Sequence, residues 1–519
     1  MEITKQQNQV LELSARIDPH SLSYKIPGIQ TWFLLLVFLV LIFFIPRTAL
    51  TVAQVIAVYL LLRFMVVAVF YIVSLINIRR THRRMHTTTP LDGLTAEQIA
   101  RYPKIHHVVV IPNFKEPLEV LSLTLQALAD QSISPDQLTV ALGMEQTEED
   151  AFAKGNELEK RFASRFAHFF VTVHPDGLAG EIPGKATNQN WAARFVKREL
   201  VDKLGMRLED LTITSCDADS VLDPDYFREL TREFITCPKP ENFIWQTPIF
   251  LDHNIWLTPA SVRLLTFFNN AVQISELSSP FGLVYPLSTY SLSFKLVVDV
   301  GYWDPIVISD DWHMFLRTFF AKDGDMSVRS LFLPTIGEPF LGENTIKTWL
   351  MVYRTRIRHA WGAGDMVYIL QQWNHQPRTP FFWKLNRFLK IWHDNIVFSM
   401  GSVFVAVGTL LSIWLDNNPV ITYPRFPIPY VIEALNVLGV VGMVSIWMIE
   451  RIRSNNSKYS WKPGTVFSEV ISWVFFAVIT FVLAGLPVLH AHTKMLLGDS
   501  LTFDRTPKGI VPKKHAGSI

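Results

Sequence analysis

Cysteine is nearly absent from the 519 residues. Cys216 and Cys237 are the two present, too few for a disulfide scaffold and with no second cysteine at metal-ligand spacing. Both read as buried thiols. Charge of one sign is equally scarce: 48 Lys and Arg stand against 46 Asp and Glu, a formal net charge of +2. That balance excludes the broad basic field of a nucleic-acid binder, so no nucleic-acid partner is expected. Around Lys185 the phosphate-binding pattern G-x-x-x-x-G-K-[ST] also fails, for it needs a glycine where Ala179 stands and a hydroxyl where Ala186 stands. Apolar runs long enough for a bilayer, about 20 residues, are missing from the middle of the chain.

They are present at both ends, in keeping with a hydrophobic content of 49% and a mean hydropathy of +0.22. Residues 29–46 and 49–76 form two such runs with a short link, which implies a helical hairpin; the polar lead of residues 1–28 and the second run argue against a cleaved signal peptide. Three more runs lie at 391–415, 428–450 and 466–490. Arg79, Arg80, Arg83 and Arg84 follow the second run, and Arg451, Arg453, Lys458 and Lys462 separate the last two. The positive-inside bias places both loops, and with them the middle of the chain, in the cytoplasm. The expected protein is multi-pass, in a plasma, Golgi or bacterial inner membrane, with lipids as partners. Arg63 within the second run and Glu433 within the fourth are costly in lipid, and either line a polar path or pair across the bundle.

Between 104 and 344, short β-branched runs alternate with helical stretches. "HHVVVIP" (106–112), "QLTVALGME" (137–145), "HFFVTVHP" (168–175) and "DLTITSCDAD" (210–219) read as strands joined by helices. Such a pattern predicts a parallel α/β sheet that binds ligands at the carboxyl ends of its strands. At one of those ends, Asp217 and Asp219 stand two apart on an extended run, so their carboxylates should leave the backbone on the same side. Held together they repel, unless a hard divalent cation such as Mg2+ or Mn2+ neutralises them and completes its shell with phosphates. The structural alternative is a helix cap, Asp219 or Ser220 closing the segment that starts near Pro224. Asp310 and Asp311, in "ISDDWHMFLR" (308–317), carry the same ambiguity, since acidic residues favour the first turn of a helix.

"CDADS", "VVVIPNFKEP", "PGKATNQNW" (183–191) and "ISDDWHMFLR" occur in the order found in inverting family 2 glycosyltransferases of the GT-A fold. With apolar runs on both sides, the chain resembles the membrane-embedded branch that includes cellulose, chitin and hyaluronan synthases. The resemblance implies that Asp217 and Asp219 form a D-x-D pair holding the diphosphate of a UDP-sugar through Mg2+ or Mn2+. Pro112 and Glu116 would border the nucleotide, and Glu145 would stand near the base, where such enzymes usually carry aspartate. Lys185 would approach the diphosphate. S-D-D takes the place of T-E-D, making Asp311 the base that deprotonates the acceptor, with Asp310 orienting a neighbour.

The family's Q-x-x-R-W falls on Ile357 to Trp361, where Trp361 alone matches and Arg358 supplies a charge one step away. This stretch belongs to amphipathic interfacial helices expected over 345–390. The tail 491–519 contains "LTFDRTPKG", similar to a gating loop, with Phe503, Thr506 and Lys508 matching. Five crossings would leave that tail outside, so residues 466–490, interrupted by Gly485 and Pro487, are expected to dip in without crossing. Asn455 opens an N-x-S triplet in a loop placed inside. The acceptor implied is a glycan, with a lipid-linked acceptor as the alternative; a transporter with a ligand-binding insert is the rival of another class.

Overall fold

The computed structural model of the chain describes residues 13–14, 18–280, 283–415, 428–454 and 461–499. Thr506, Lys508 and the rest of the tail motif, together with Asn455, lie outside these.

The middle of the chain forms ten strands: β1 (His106–Pro112), β2 (Leu138–Glu145), β3 (His168–His174), β4 (Leu211–Ser215), β5 (Val221–Leu222), β6 (Phe243–Gln246), β7 (Ile249–Leu251), β8 (Tyr290–Ser293), β9 (Ser327–Ser330) and β10 (Thr335–Gly337). Seven make one sheet in the order β3-β2-β1-β4-β8-β6-β9, and β5-β10-β7 make a second. In β1, Val108 and Val110 enter one core with Ala141 and Ile213, while Val109 and Ile111 enter another with Val140 and Leu142. Both faces are covered, as the continuous apolar runs require.

β3, β2, β1 and β4 are parallel, as expected from their helical crossovers. The sheet as a whole is mixed, because β8 runs antiparallel to both β4 and β6. The parallel expectation for the four strands read from the sequence holds, and the added strand β8 is reached from the loop 283–289.

Outside the sheet, helices Leu22–Phe44, Pro46–Thr87, Ala434–Arg453 and Phe476–Leu497 are long and apolar enough to cross a membrane. A fifth candidate is the pair Phe381–Ile396 and Met400–Ser412, bent by 49°. Pro46 opens the 42-residue second helix at its first turn, where its missing N–H costs nothing. The helix continues through the arginines into the sheet domain, where Arg84 pairs with Glu229. Small residues let the spans close up: a Cβ on Gly442 would lie 2.7 Å from the Met65 backbone.

Arg63 takes the pairing alternative, with Asp394 at 3.7 Å, Glu276 at 3.9 Å and His393 at 3.0 Å. The side chain of Glu433 lies outside the described residues. In the last apolar run the helix breaks at Phe475, between Pro463–Val474 and Phe476–Thr480. Gly485 and Pro487 stand inside continuous helical turns beyond that break.

Candidate active site

The parallel strands β1, β2 and β4 end at one edge, where the loop leaving β4 carries Asp217 and Asp219, the loop leaving β1 carries Glu116, and Glu145 closes β2. β4 stops at Ser215, so Asp217 and Asp219 are not on a strand; a turn closed by Ser220 N–H on the Asp217 carbonyl at 3.0 Å carries them. Alternation therefore does not align their carboxylates, and the two are held by different partners. Asp217 receives the Lys185 ammonium at 2.7 Å and the Ser288 hydroxyl at 2.5 Å. Asp219 accepts the backbone N–H of Glu338 at 3.0 Å. Neither Asp219 nor Ser220 caps the following helix, Tyr226–Thr236, whose N-cap is Asp225.

Lys185 is the first residue of helix Lys185–Val196, which places its ammonium over the sheet edge. Besides Asp217 it reaches the Ser288 carbonyl at 3.0 Å and Asp310 at 3.7 Å. Burial pulls it down; Asp217, Asp310 and Asp311 outweigh burial and hold the ammonium well above its ordinary value.

Helix Asp310–Ala321 begins with the second acidic pair. Asp311 accepts the Ser288 N–H at 3.2 Å and the Trp312 N–H at 2.9 Å. Asp310 accepts from the Gln189 amide at 3.4 Å. Burial raises both carboxyls, and Asp310 raises its neighbour further, so Asp311 is pushed up to about 7 against the pull of Lys185. Ser288 thus touches Asp217 with its hydroxyl and Asp311 with its amide. It does so from a left-handed backbone at φ 56°, a conformation that a serine adopts only where its surroundings hold it. Nothing in the residue pattern marked Ser288 or Gln189 beforehand.

Other residues go elsewhere. Glu145 is buried and bound to the Asn188 amide at 3.0 Å and to His174 at 3.3 Å, with His174 in turn 2.9 Å from Glu181. Pro112 ends β1; Glu116, four residues past it, donates its N–H to Asn113 and accepts Lys154 on its carbonyl at 2.9 Å. Glu116 borders an open cleft of about 940 Å³ whose lining, including Lys115, Glu148 and Lys154, contains neither Asp217 nor Asp311. Arg358, near the end of helix Thr345–Ala360, pulls the Asp310 carboxyl down. Trp361 follows in the next turn, only 6% exposed, its ring 6.4 Å from that of Tyr24. Cys216 and Cys237 are buried and free.

Among the described residues no group of three or more His, Cys, Asp and Glu is arranged to hold a metal. Asp217 and Asp219 offer a donor set of two carboxylates. That set fits an ion of the Mg2+ or Mn2+ type, which binds through one or two carboxylates and takes its other ligands from phosphates and water.

Among solved structures the chain is similar to the mannosyltransferase PcManGT of Pyrobaculum calidifontis, in complex with GDP-Man and Mn2+, at 13% identity over 76% of this chain and 99% of that one, TM-score 0.39. It is similar to S. aureus TarS 1-349 in complex with UDP-GlcNAc at 10% identity over 65% and 91%, TM-score 0.31. These are loose likenesses. No curated protein matches. The family described as "Glycosyl transferase family group 2" matches residues 212–488, from β4 through the acidic pairs and into the last apolar helix. The α/β sheet set between membrane-capable helices agrees with the GT-A architecture expected from the motifs, and the chain belongs to glycosyl transferase family group 2.

Proposed function

We propose that this glycosyltransferase is an integral membrane enzyme that takes a UDP-linked hexose or N-acetylhexosamine on the cytoplasmic face and transfers it with inversion. The acceptor is the end of a polysaccharide, and the product passes outward beside the spans. One observation carries the reading: Ser288 bonds both Asp217 and Asp311, which sets the carboxylate read as donor-side close to the one read as acceptor-side.

In this reading Asp217 and Asp219 hold Mg2+ or Mn2+, which offsets the charge gathering on the departing diphosphate. Lys185 adds a fixed positive charge beside the same phosphates. Asp311 takes the proton of the attacking hydroxyl as its oxygen bonds to the anomeric carbon; the bond from that carbon to phosphate oxygen breaks and the nucleoside diphosphate leaves. A carboxyl pushed up to about 7 is well matched to that task, being about half ionised at neutrality and basic enough to accept the proton. Asp310 orients Gln189 and tunes its neighbour.

The burial of Trp361 against Tyr24 favours a second reading, a single addition to a lipid-linked acceptor, because a covered indole offers no face to a growing glycan. One experiment separates them. Purified protein given a panel of UDP-sugars and Mn2+ should release UDP, and EDTA should stop the release. A ladder of long products establishes the polymerase; one addition to lipid establishes the alternative. UDP release that survives Asp311→Asn removes the base assignment.

A further inference from the structure

Asp219 is bound from a different part of the chain than the Lys185 and Ser288 that bind Asp217. The Glu338 N–H that it accepts at 3.0 Å belongs to the residue directly after β10. β10 pairs in parallel with β7, Gly337 opposite Leu251, and the His253 N–H returns to the Gly337 carbonyl at 3.2 Å. Gly337 keeps this approach close, since a Cβ there would lie 3.2 Å from the Leu251 side chain and 3.9 Å from the Asp219 carboxylate.

β7 is in turn fastened to apolar helices. Asp252, the residue after β7, is gripped by both terminal nitrogens of Arg453, one of them at 2.9 Å, at the end of helix Ile428–Arg453. The same guanidinium donates to Glu450 at 2.8 Å from two nitrogens and lies 3.7 Å over the Phe250 ring. Glu450 is fully buried and also binds Tyr71, on the 42-residue helix, and Asn270 at 3.0 Å. Asn270 closes the circuit by accepting the Leu251 N–H at 3.2 Å.

We infer that Arg453 and Asp252 are positioning residues for Asp219, fixing the β7–β10 strand ends, and through the Glu338 amide the carboxylate, to the ends of the apolar helices. A buried ion pair adds little net stability over apolar side chains of the same volume, whereas a two-pronged guanidinium–carboxylate contact fixes geometry closely. The inference rests on the reading of Asp219 as a cation ligand. It adds that the grip on the donor is set in part by the membrane bundle.

The test measures binding rather than turnover. Full-length protein in lipid nanodiscs is titrated with Mn2+ in the presence of UDP, and bound Mn2+ is followed by electron paramagnetic resonance. Asp252→Asn and Arg453→Lys should each weaken Mn2+ binding by about tenfold, the size typical when a partner that orients a metal ligand is removed. Variants that bind as wild type does, while Asp219→Asn does not, overturn the inference and leave the reading of Asp219 standing. A wild-type protein that binds no Mn2+ with UDP removes both. For variants that do not fold, hydrogen exchange on the wild type decides: Mn2+ with UDP should slow amide exchange over 249–253 and 335–338, and slowing confined to the Asp217 turn overturns the inference.

Discussion

Asp217 and Asp311 are joined through a single residue, Ser288, which gives its hydroxyl to the first at 2.5 Å and its amide to the second at 3.2 Å. In the proposed reading this bridge fixes the spacing between the carboxylate that serves the leaving phosphate and the one that serves the attacking hydroxyl.

The first prediction concerns Asp311. With its carboxyl pushed up to about 7 by burial and by Asp310, it is protonated and inactive as a base below that pH. Sugar transfer should therefore rise with pH and level off above about 7, as read from kcat/KM. Asp311→Asn should lower kcat by about 10²- to 10⁴-fold while leaving UDP binding intact. Asp310→Asn removes a neighbouring negative charge, so its rising limb should move to lower pH.

Lys185 makes the opposite prediction. Its ammonium stands 2.7 Å from Asp217 and lowers the Asp311 carboxyl. Lys185→Gln should raise the KM for the donor and shift the rising limb of the pH profile upward. A profile that does not move would show that the charge does not reach Asp311.

Ser288 allows the bridge to be divided. Ser288→Ala removes the hydroxyl bond to Asp217 and keeps the amide bond to Asp311. A hydrogen bond to a charged group contributes about 1.5–3 kcal/mol, so donor KM should rise on the order of tenfold or more with kcat less affected. Ser288→Gly loses the same hydroxyl but relaxes the backbone at φ 56°. It should melt at a higher temperature than Ser288→Ala, by calorimetry on the two proteins side by side.

What the sequence discloses, and what it hides, follows the range of the forces involved. Apolar runs at 29–46 and 49–76 were legible because bilayer thickness imposes a length on them, and β1 to β4 because β-branched runs such as "HHVVV" have one comfortable conformation. β8 was not, since "YSLS" is four residues with no pattern of its own, and its direction is set by pairing with β4 and β6. The acidic pairs could be singled out by their cost, because carboxylates at a strand end or helix start need a reason. Their geometry could not: Asp217 and Asp219 sit on a turn whose hydrogen bonds are tertiary. Ser288 is invisible in one dimension, as its importance lies in a backbone angle. Trp361 could stack on an acceptor sugar or anchor at the membrane interface as far as its sequence position tells, and its burial against Tyr24 is a tertiary fact.

The last prediction tests the latch at the neighbouring strand ends. His174, at the end of β3, faces Glu145 from β2 and Glu181 from the loop that leads into Lys185, with Trp191 of the Lys185 helix against its ring. Burial pushes the imidazole down, but its bonds and charges with the two glutamates outweigh burial, so its pKa is raised in the folded state. A histidine raised above its unfolded value of about 6.5 contributes stability that is fully present below that pH and lost as pH rises through the folded value. Melting temperature should accordingly fall as pH rises above about 6.5 more steeply in the wild type than in Glu181→Gln, which should start lower and run flatter. Subtracting the two curves cancels titrations common to both proteins, Asp311 among them. Because the same bond holds the loop that delivers Lys185, Glu181→Gln should also raise the donor KM at low pH, where the latch is charged, and converge on the wild type at high pH. Parallel melting curves with an unchanged KM would mean that the glutamates do not hold the loop.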